Sequence, residues 1–237
     1  MVTVSVADFA EWRTAARSLL TRGTPPDAVT WLAASDQQPL PLPGLESAGE
    51  MASREAVCLR VPRAFLALAE LPACHRSPYR WDALYRLLWR VVREGSHVLS
   101  LDSELETRAV QDMARQVRRD EHKMHAFVRF APVPDESGQR YVAWYEPDHL
   151  IVRRAAPFFA ERFAPMRWSI LTPDESVHWD GSTLSYAPGL PAPVRAHIGE
   201  IEALWRVYYE SVYNPARVNP RRMCSLRRMT FHTRPLR

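Results

Sequence analysis

Three short stretches bring acids, imidazoles and an amine together: Glu146-Pro147-Asp148-His149, His178-Trp179-Asp180 and His122-Lys123. A carboxylate and a neutral imidazole within reach of one substrate atom can give and take a proton near pH 7, which general acid–base catalysis requires. His122, Glu146, Asp148, His149 and His178 are therefore a candidate catalytic pocket, if strand ends bring them together. A local reading stands beside it: Asp148 caps a helix, Asp180 makes a turn, and the histidines are satisfied hydrogen-bonding groups. Glu121-His122 with His125 is a fragment of the HExxH zinc motif in the wrong order. Its histidines are three apart rather than four, and the Glu precedes the first, so packing or surface roles are expected and no metal site.

A second chemistry is phosphate contact. Arg108, Arg115, Arg118, Arg119 and His122 fall on one side of a helical stretch that closes with Lys123. Such a stripe can track phosphates or can simply be a solvated face. Farther on, Asn214-Pro215-Ala216-Arg217-Val218-Asn219-Pro220 carries two Asn-Pro steps. These force a turn that presents Arg217 outward, or they form a plain terminal loop. The candidate nucleic-acid contacts are Arg115, Arg118, Arg119, His122, Lys123 and Arg217.

Other chemistries lack their residues. None of the eight glycines forms GxGxxG or a P-loop, and GxSxG is absent, so no nucleotide cofactor or serine-hydrolase site is expected. Cys58, Cys74 and Cys224 are an odd, widely spaced set that builds neither a disulfide framework nor a structural zinc site. Asp8 and Glu11 sit where a signal peptide needs a basic end and an apolar run. The most apolar stretch, Ala64–Ala73, is far shorter than the roughly 20 residues that span a bilayer. A cytoplasmic chain without membrane partners is expected.

The charge is unevenly made. Lys123 is the only lysine among 31 basic residues, which fits phosphate binding and equally fits an arginine-favouring, GC-rich genome. Residues 217–237 hold seven arginines and no acid, so a net charge of +4 for the chain leaves the rest at −3. Any nucleic-acid contact by the body must therefore be local, as in Arg115 to Lys123.

The elements that must position these groups follow from periodicity. The 237 residues, 46% of them hydrophobic, suffice for one large domain or two small ones. Apolar spacing predicts helices over Ala7–Leu20, Arg63–Leu71, Arg80–Arg93 and Ser103–His125. In the last of these Val110, Met113, Val117 and Met124 form the buried stripe, Ser103 caps, and Glu104 and Glu106 favour the first turn. Short strands are expected at Ala28–Leu32 and Ala56–Val61. Period two then predicts strands at Phe127–Phe130, Tyr141–Tyr145, Arg167–Leu171, Val177–Trp179 and Thr183–Tyr186, with a hairpin at Asp180-Gly181. A helix near Ile151–Phe163 interrupts them, with Pro157 as a kink or as its first turn. An aromatic helix near Val194–Tyr213 ends the series. The expected fold is α+β: an antiparallel sheet packed by helices, preceded by a mostly helical N-terminal region. Residues 1–54 form the N-terminal helix, short strand and Pro-rich linker, 55–214 the main α+β domain, and 215–237 a basic tail.

A long ordered series completes the reading. It runs through Arg118 to Phe130, Tyr141 to His149, Ala155-Ala156-Pro157-Phe158-Phe159, Met166 to Pro173, His178-Trp179-Asp180-Gly181, Tyr208-Tyr209 and Asn214-Pro215-Ala216-Arg217 with Asn219-Pro220. Together these resemble a bacterial domain family of unknown function linked to DNA repair. Some of its members are fused ahead of X-type uracil-DNA glycosylases, and others are encoded beside a radical-SAM repair protein. The resemblance covers nearly the whole chain. Val61 to Phe65, Ala73-Cys74-His75-Arg76 and Tyr85 to Arg90 look most like the glycosylase-fused group. It implies an accessory domain that binds DNA or recruits such a repair enzyme. Nothing after Arg237 supplies a glycosylase and the cysteines are too few for its iron–sulfur cluster, so uracil excision is not expected of this chain. Met223–Arg237 departs from the family's usual aromatic ending. Two rival expectations remain: an enzyme acting on a nucleic acid base or adduct through the His/Asp/Glu pocket, and a protein-interaction module built on Tyr208-Tyr209.

Overall fold

The structure, a computed structural model, describes residues 1–33, 45–47, 61–101, 104–135 and 138–190. It separates into two compact units, residues 1–118 and 119–237, and the division falls inside one long helix.

The first unit opens with Val2–Val6 (β1), whose alternation puts Val4 and Val6 into the core. Strand β1 lies between Val29–Ala33 (β2) and Leu45–Ser47 (β3), parallel to both. Parallel neighbours need a crossover, supplied between β1 and β2 by Phe9–Thr21 (α1). Its start is fixed reciprocally: Asp8 accepts from the Glu11 amide at 2.9 Å, and Glu11 accepts from the Ala7 amide at 2.8 Å. Trp12, Ala15, Ala16 and Leu19, at helical spacing, form its buried stripe. Gly23 ends it at φ 67°, a conformation that costs glycine no Cβ clash. Helices Arg63–Ala73 (α2) and Arg80–Glu94 (α3) follow. Trp12 stands 6.1 Å from Trp81 and 6.0 Å from Trp31, and Trp31 meets Tyr85 edge-on at 5.5 Å. This aromatic cluster joins the helices to the parallel sheet.

Leu105–Phe127 (α4) carries the chain into the second unit. There Ala131–Asp135 (β4), Gly138–Trp144 (β5), Trp168–Leu171 (β6), Glu175–Trp179 (β7) and Leu184–Pro188 (β8) form a sheet in chain order. Every pairing is antiparallel except β5 with β6, which are parallel and joined through Val152–Arg162 (α5). Phe130, Phe159 and Phe163 gather around the buried Trp168, with ring centroids 5.4–6.4 Å apart. At the β7–β8 turn Asp180 accepts from the Ser182 and Thr183 amides at 2.7 and 2.8 Å, and Gly181 takes φ 104°.

The fold is α+β, as the periodicity predicts. One strand is displaced. Phe127 ends α4 and the strand expected at Phe127–Phe130 begins instead at Ala131, through Pro132 and Pro134. Prolines lack the ladder N–H, and β4 tolerates them because it is an edge strand. Pro157 lies inside α5, past its first turn. No described helix is long and apolar enough to cross a membrane. The Ser103 cap, the Val194–Tyr213 helix, Tyr208-Tyr209, Arg217 and all of the Ala56–Val61 strand except Val61 lie outside the described residues.

Candidate functional site

Helix α4 has two chemical faces. Val110, Ala114, Val117, Asp120 and Met124 are buried, while Met113 is half-buried. Arg108, Arg115, Arg118, Arg119, His122 and Lys123 are all exposed. Residues four apart line up along a helix, so Arg115, Arg119, Lys123 and Phe127 form one ridge, and Arg118 and His122 the next. Phe127 ends its ridge 63% exposed. Arg115 is paired with Asp112, and Lys123 with Asp148 at 3.3 Å. Among the described residues Arg118 and Arg119 form no ion pair.

The acid stretch after β5 is bound to this helix by a residue that the sequence reading left out. Asp120, 2% exposed, accepts the His149 amide at 2.8 Å and the Asp148 amide as well. Burial pushes its carboxyl group above the usual aspartate range, against the pull of those two amides; the Asp148 charge adds to the rise and Lys123 opposes it. Tyr145 belongs to the same cluster, its phenol raised by burial and then by the charges of Asp120 and Asp148. The signal for Asp120 was present in the sequence: it falls three residues after Val117 and four before Met124, on the apolar stripe. Tyr145 carried no comparable mark.

The residues flanking this cluster diverge. Glu121 pairs with Arg154 of α5 at 2.9 Å. His125 stacks on Phe158 at 4.0 Å and meets Phe159 edge-on at 5.6 Å, and burial holds its ring below the usual imidazole range. His122 stays on the exposed face. Glu121 and His125, four apart, thus both turn towards α5 while His122 stays outside, and among the described residues no three His, Cys, Asp or Glu side chains are arranged to hold a metal ion. Glu146 accepts from the Trp144 indole at 3.0 Å.

His178 belongs to another environment. Trp168 packs on Phe159 of α5, so its neighbour Ser169 points to the opposite face of the sheet, and His178 pairs with Ser169 across the ladder. The His178 Nδ1 lies 2.8 Å from the Ser169 hydroxyl, which accepts from the Arg140 guanidinium at 3.2 Å. With Arg140 donating, the serine proton is free to donate to Nδ1, which leaves the ring proton on Nε2. Burial, and then the Arg140 charge, lowers this imidazole to about 3. Of the five candidate pocket residues, Asp148 and His149 gather on Asp120. His122 immediately precedes Lys123 on the exposed side of α4, Glu146 is held by Trp144, and His178 faces the other side of the sheet.

Residues 78–229 match the family described as a domain of unknown function, DUF4130. The span is narrower than the resemblance read from the sequence. It takes in all of α3 to β8 and every candidate site residue, and leaves out β1 to α2. No curated protein matches the chain. No solved structure matches it.

Proposed function

The chain belongs to the DUF4130 family, and from that premise we propose that it is an accessory domain of DNA repair. In this reading it binds DNA, or brings a repair enzyme to it, through the exposed face of α4. The observation that supports the reading is the paired ridge on α4. Arg118 and Arg119 are exposed and free of carboxylate partners among the described residues, with Arg115 and Lys123 in line and an exposed Phe127 at the end. A guanidinium pairs bidentately with phosphate, and a protein that neutralises phosphates releases their counterions. An exposed aromatic ring next to such a ridge can stack on an unpaired base. The repair context and the expected protein partners rest on the sequence resemblance alone, to a family with members fused to uracil-DNA glycosylases or encoded beside a radical-SAM repair protein.

Fluorescence anisotropy with a labelled duplex, titrated between 50 and 200 mM salt, tests the reading. Each phosphate contact contributes about −0.9 to the slope of log affinity against log salt. Replacing Arg118 and Arg119 together by Gln should therefore flatten the slope by about 1.8 and weaken binding most at low salt. Absence of binding at 50 mM salt, or an unchanged slope in the double variant, refutes it.

A further inference from the structure

A cavity of about 350 Å³ opens in the first unit, between α1, the start of α2 and α3. We infer that it is a binding site for a small amphipathic anion, an apolar chain or ring of about a dozen atoms ending in a carboxylate or phosphate. The floor is apolar: Trp12, Phe65 and Leu88 are buried there, and Leu66 lines its side. The mouth is cationic. Arg13 and Arg17, one turn apart on α1, line it from exposed positions. Among the described residues neither makes an ion pair and none that lines the cavity carries a carboxylate. Like charges four apart on a helix repel each other, so an anion held between them relieves the helix as well as gaining two charge-assisted contacts.

The occupant's chemistry follows from size and lining. At about 30 Å³ per water-sized group, the volume holds roughly 12 non-hydrogen atoms. A nucleotide base fits poorly, because below the two guanidinium groups the described lining is apolar and leaves its polar edges without partners. The one indole N–H on the floor, that of Trp12, already donates to the Trp81 carbonyl at 3.2 Å. A saturated chain or a plain aromatic ring loses nothing there, and its anionic head reaches the two guanidinium groups. Apart from Leu88 the lining lies ahead of residues 78–229, so the site stands independently of the α4 face.

Calorimetric titration of the full chain with decanoate, octyl phosphate and decanol tests the inference. Decanoate or octyl phosphate should bind at least about tenfold more tightly than decanol. The double variant Arg13→Gln, Arg17→Gln should lose that preference while still binding decanol. Leu66→Trp, which fills the cavity, should abolish binding of all three, and an unchanged thermal midpoint shows that each variant still folds. A preference for one anion over the other names the head group. Equal binding of decanoate and decanol overturns the proposal, as does binding that survives Leu66→Trp, or none by any probe. Binding of an acidic, leucine-rich peptide but of neither small anion would assign the cavity to a protein partner and overturn it too.

Discussion

Asp120 is the point at which the second unit can be tested most sharply. Its carboxylate is almost wholly buried and accepts two backbone amides, those of Asp148 and His149, so it fixes the acid stretch after β5 onto α4. Asp120→Ala leaves both donors without their acceptor. At about 1–3 kcal/mol for each donor left unsatisfied, with some recovered by water at this half-buried loop, a loss of about 2–4 kcal/mol is expected. Asp120→Asn keeps one acceptor oxygen and turns an NH2 towards the other amide, so about half that loss is expected. The two variants also differ from the parent in pH dependence. Burial raises the Asp120 carboxyl, so the folded state binds its proton at a pH where the unfolded chain has released it. Stability from this group therefore falls as pH rises through the window between the unfolded and folded values. Asn cannot titrate. The deficit of Asp120→Asn relative to the parent should thus be larger at pH 4 than at pH 8, in urea unfolding monitored at both. Hydrogen exchange at the His149 amide gives a local check, since it should accelerate in both variants. A deficit below about 0.5 kcal/mol for Asp120→Ala would refute the anchoring role. A deficit that grows with pH would show that the two amides outweigh burial, and the sign of the argument would be wrong.

Two further expectations concern the sheet. A Cβ at Gly189 would overlap the backbone of Pro173 and Asp174, which cannot yield as a side-chain tip can; Gly189→Ala should cost about 1–3 kcal/mol and lower the thermal midpoint by several degrees, and an unchanged midpoint counts against the close approach. His178 is held neutral by burial, with its imidazole lowered to about 3. The stability it contributes is complete above the unfolded value near 6.5 and is lost as pH falls from there towards 3. Nitrogen NMR at pH 5 should find Nδ1 unprotonated and Nε2 carrying the proton, whereas a ring that titrates near 6.5 refutes the buried relay through Ser169 to Arg140.

Helices α1, α2, α3 and α4 were legible because each repeats apolar residues at helical spacing over three or more turns. So was the β7–β8 hairpin, whose Asp-Gly pair has few alternatives to a turn. Strand β1 was not assigned, although Val2, Val4 and Val6 alternate cleanly. Its stability comes from two parallel neighbours far along the chain, and no local pattern reveals those pairings. Strand β4 was misplaced because Pro132 and Pro134 argue against a strand unless its edge position is known. At the candidate site, grouping acids and imidazoles by their closeness to strand ends put His178 beside Asp148 and His149. The cross-strand register puts it with Ser169, facing away from α5. A one-residue step along a strand reverses the face, and nothing in the sequence fixes which face packs against the helix.

The α4 stretch shows how one signal can hide another. Within Arg118-Arg119-Asp120-Glu121-His122-Lys123 the charges read as a single polar run that opens on two arginines. Plotted on a helix the run separates. Arg118, Arg119, His122 and Lys123 fall on the exposed side, while Asp120 joins Val110, Val117 and Met124 on the buried one. A charged residue in an apolar stripe is the informative exception, since aspartate is rarely buried without partners. Here the partners are backbone amides, which leave no trace in side-chain identity. The same helix therefore presents cations outward and holds the acid stretch from within, and one of those cations, Lys123, pairs with Asp148 beside the amides that Asp120 holds. If the α4 face contacts phosphate, Asp120 acts on it through the position of Asp148. Freeing that loop in Asp120→Ala should release Lys123 from its partner without removing Arg118 or Arg119. The salt dependence of binding would then persist in a variant whose loop is loosened, which separates anchoring from contact.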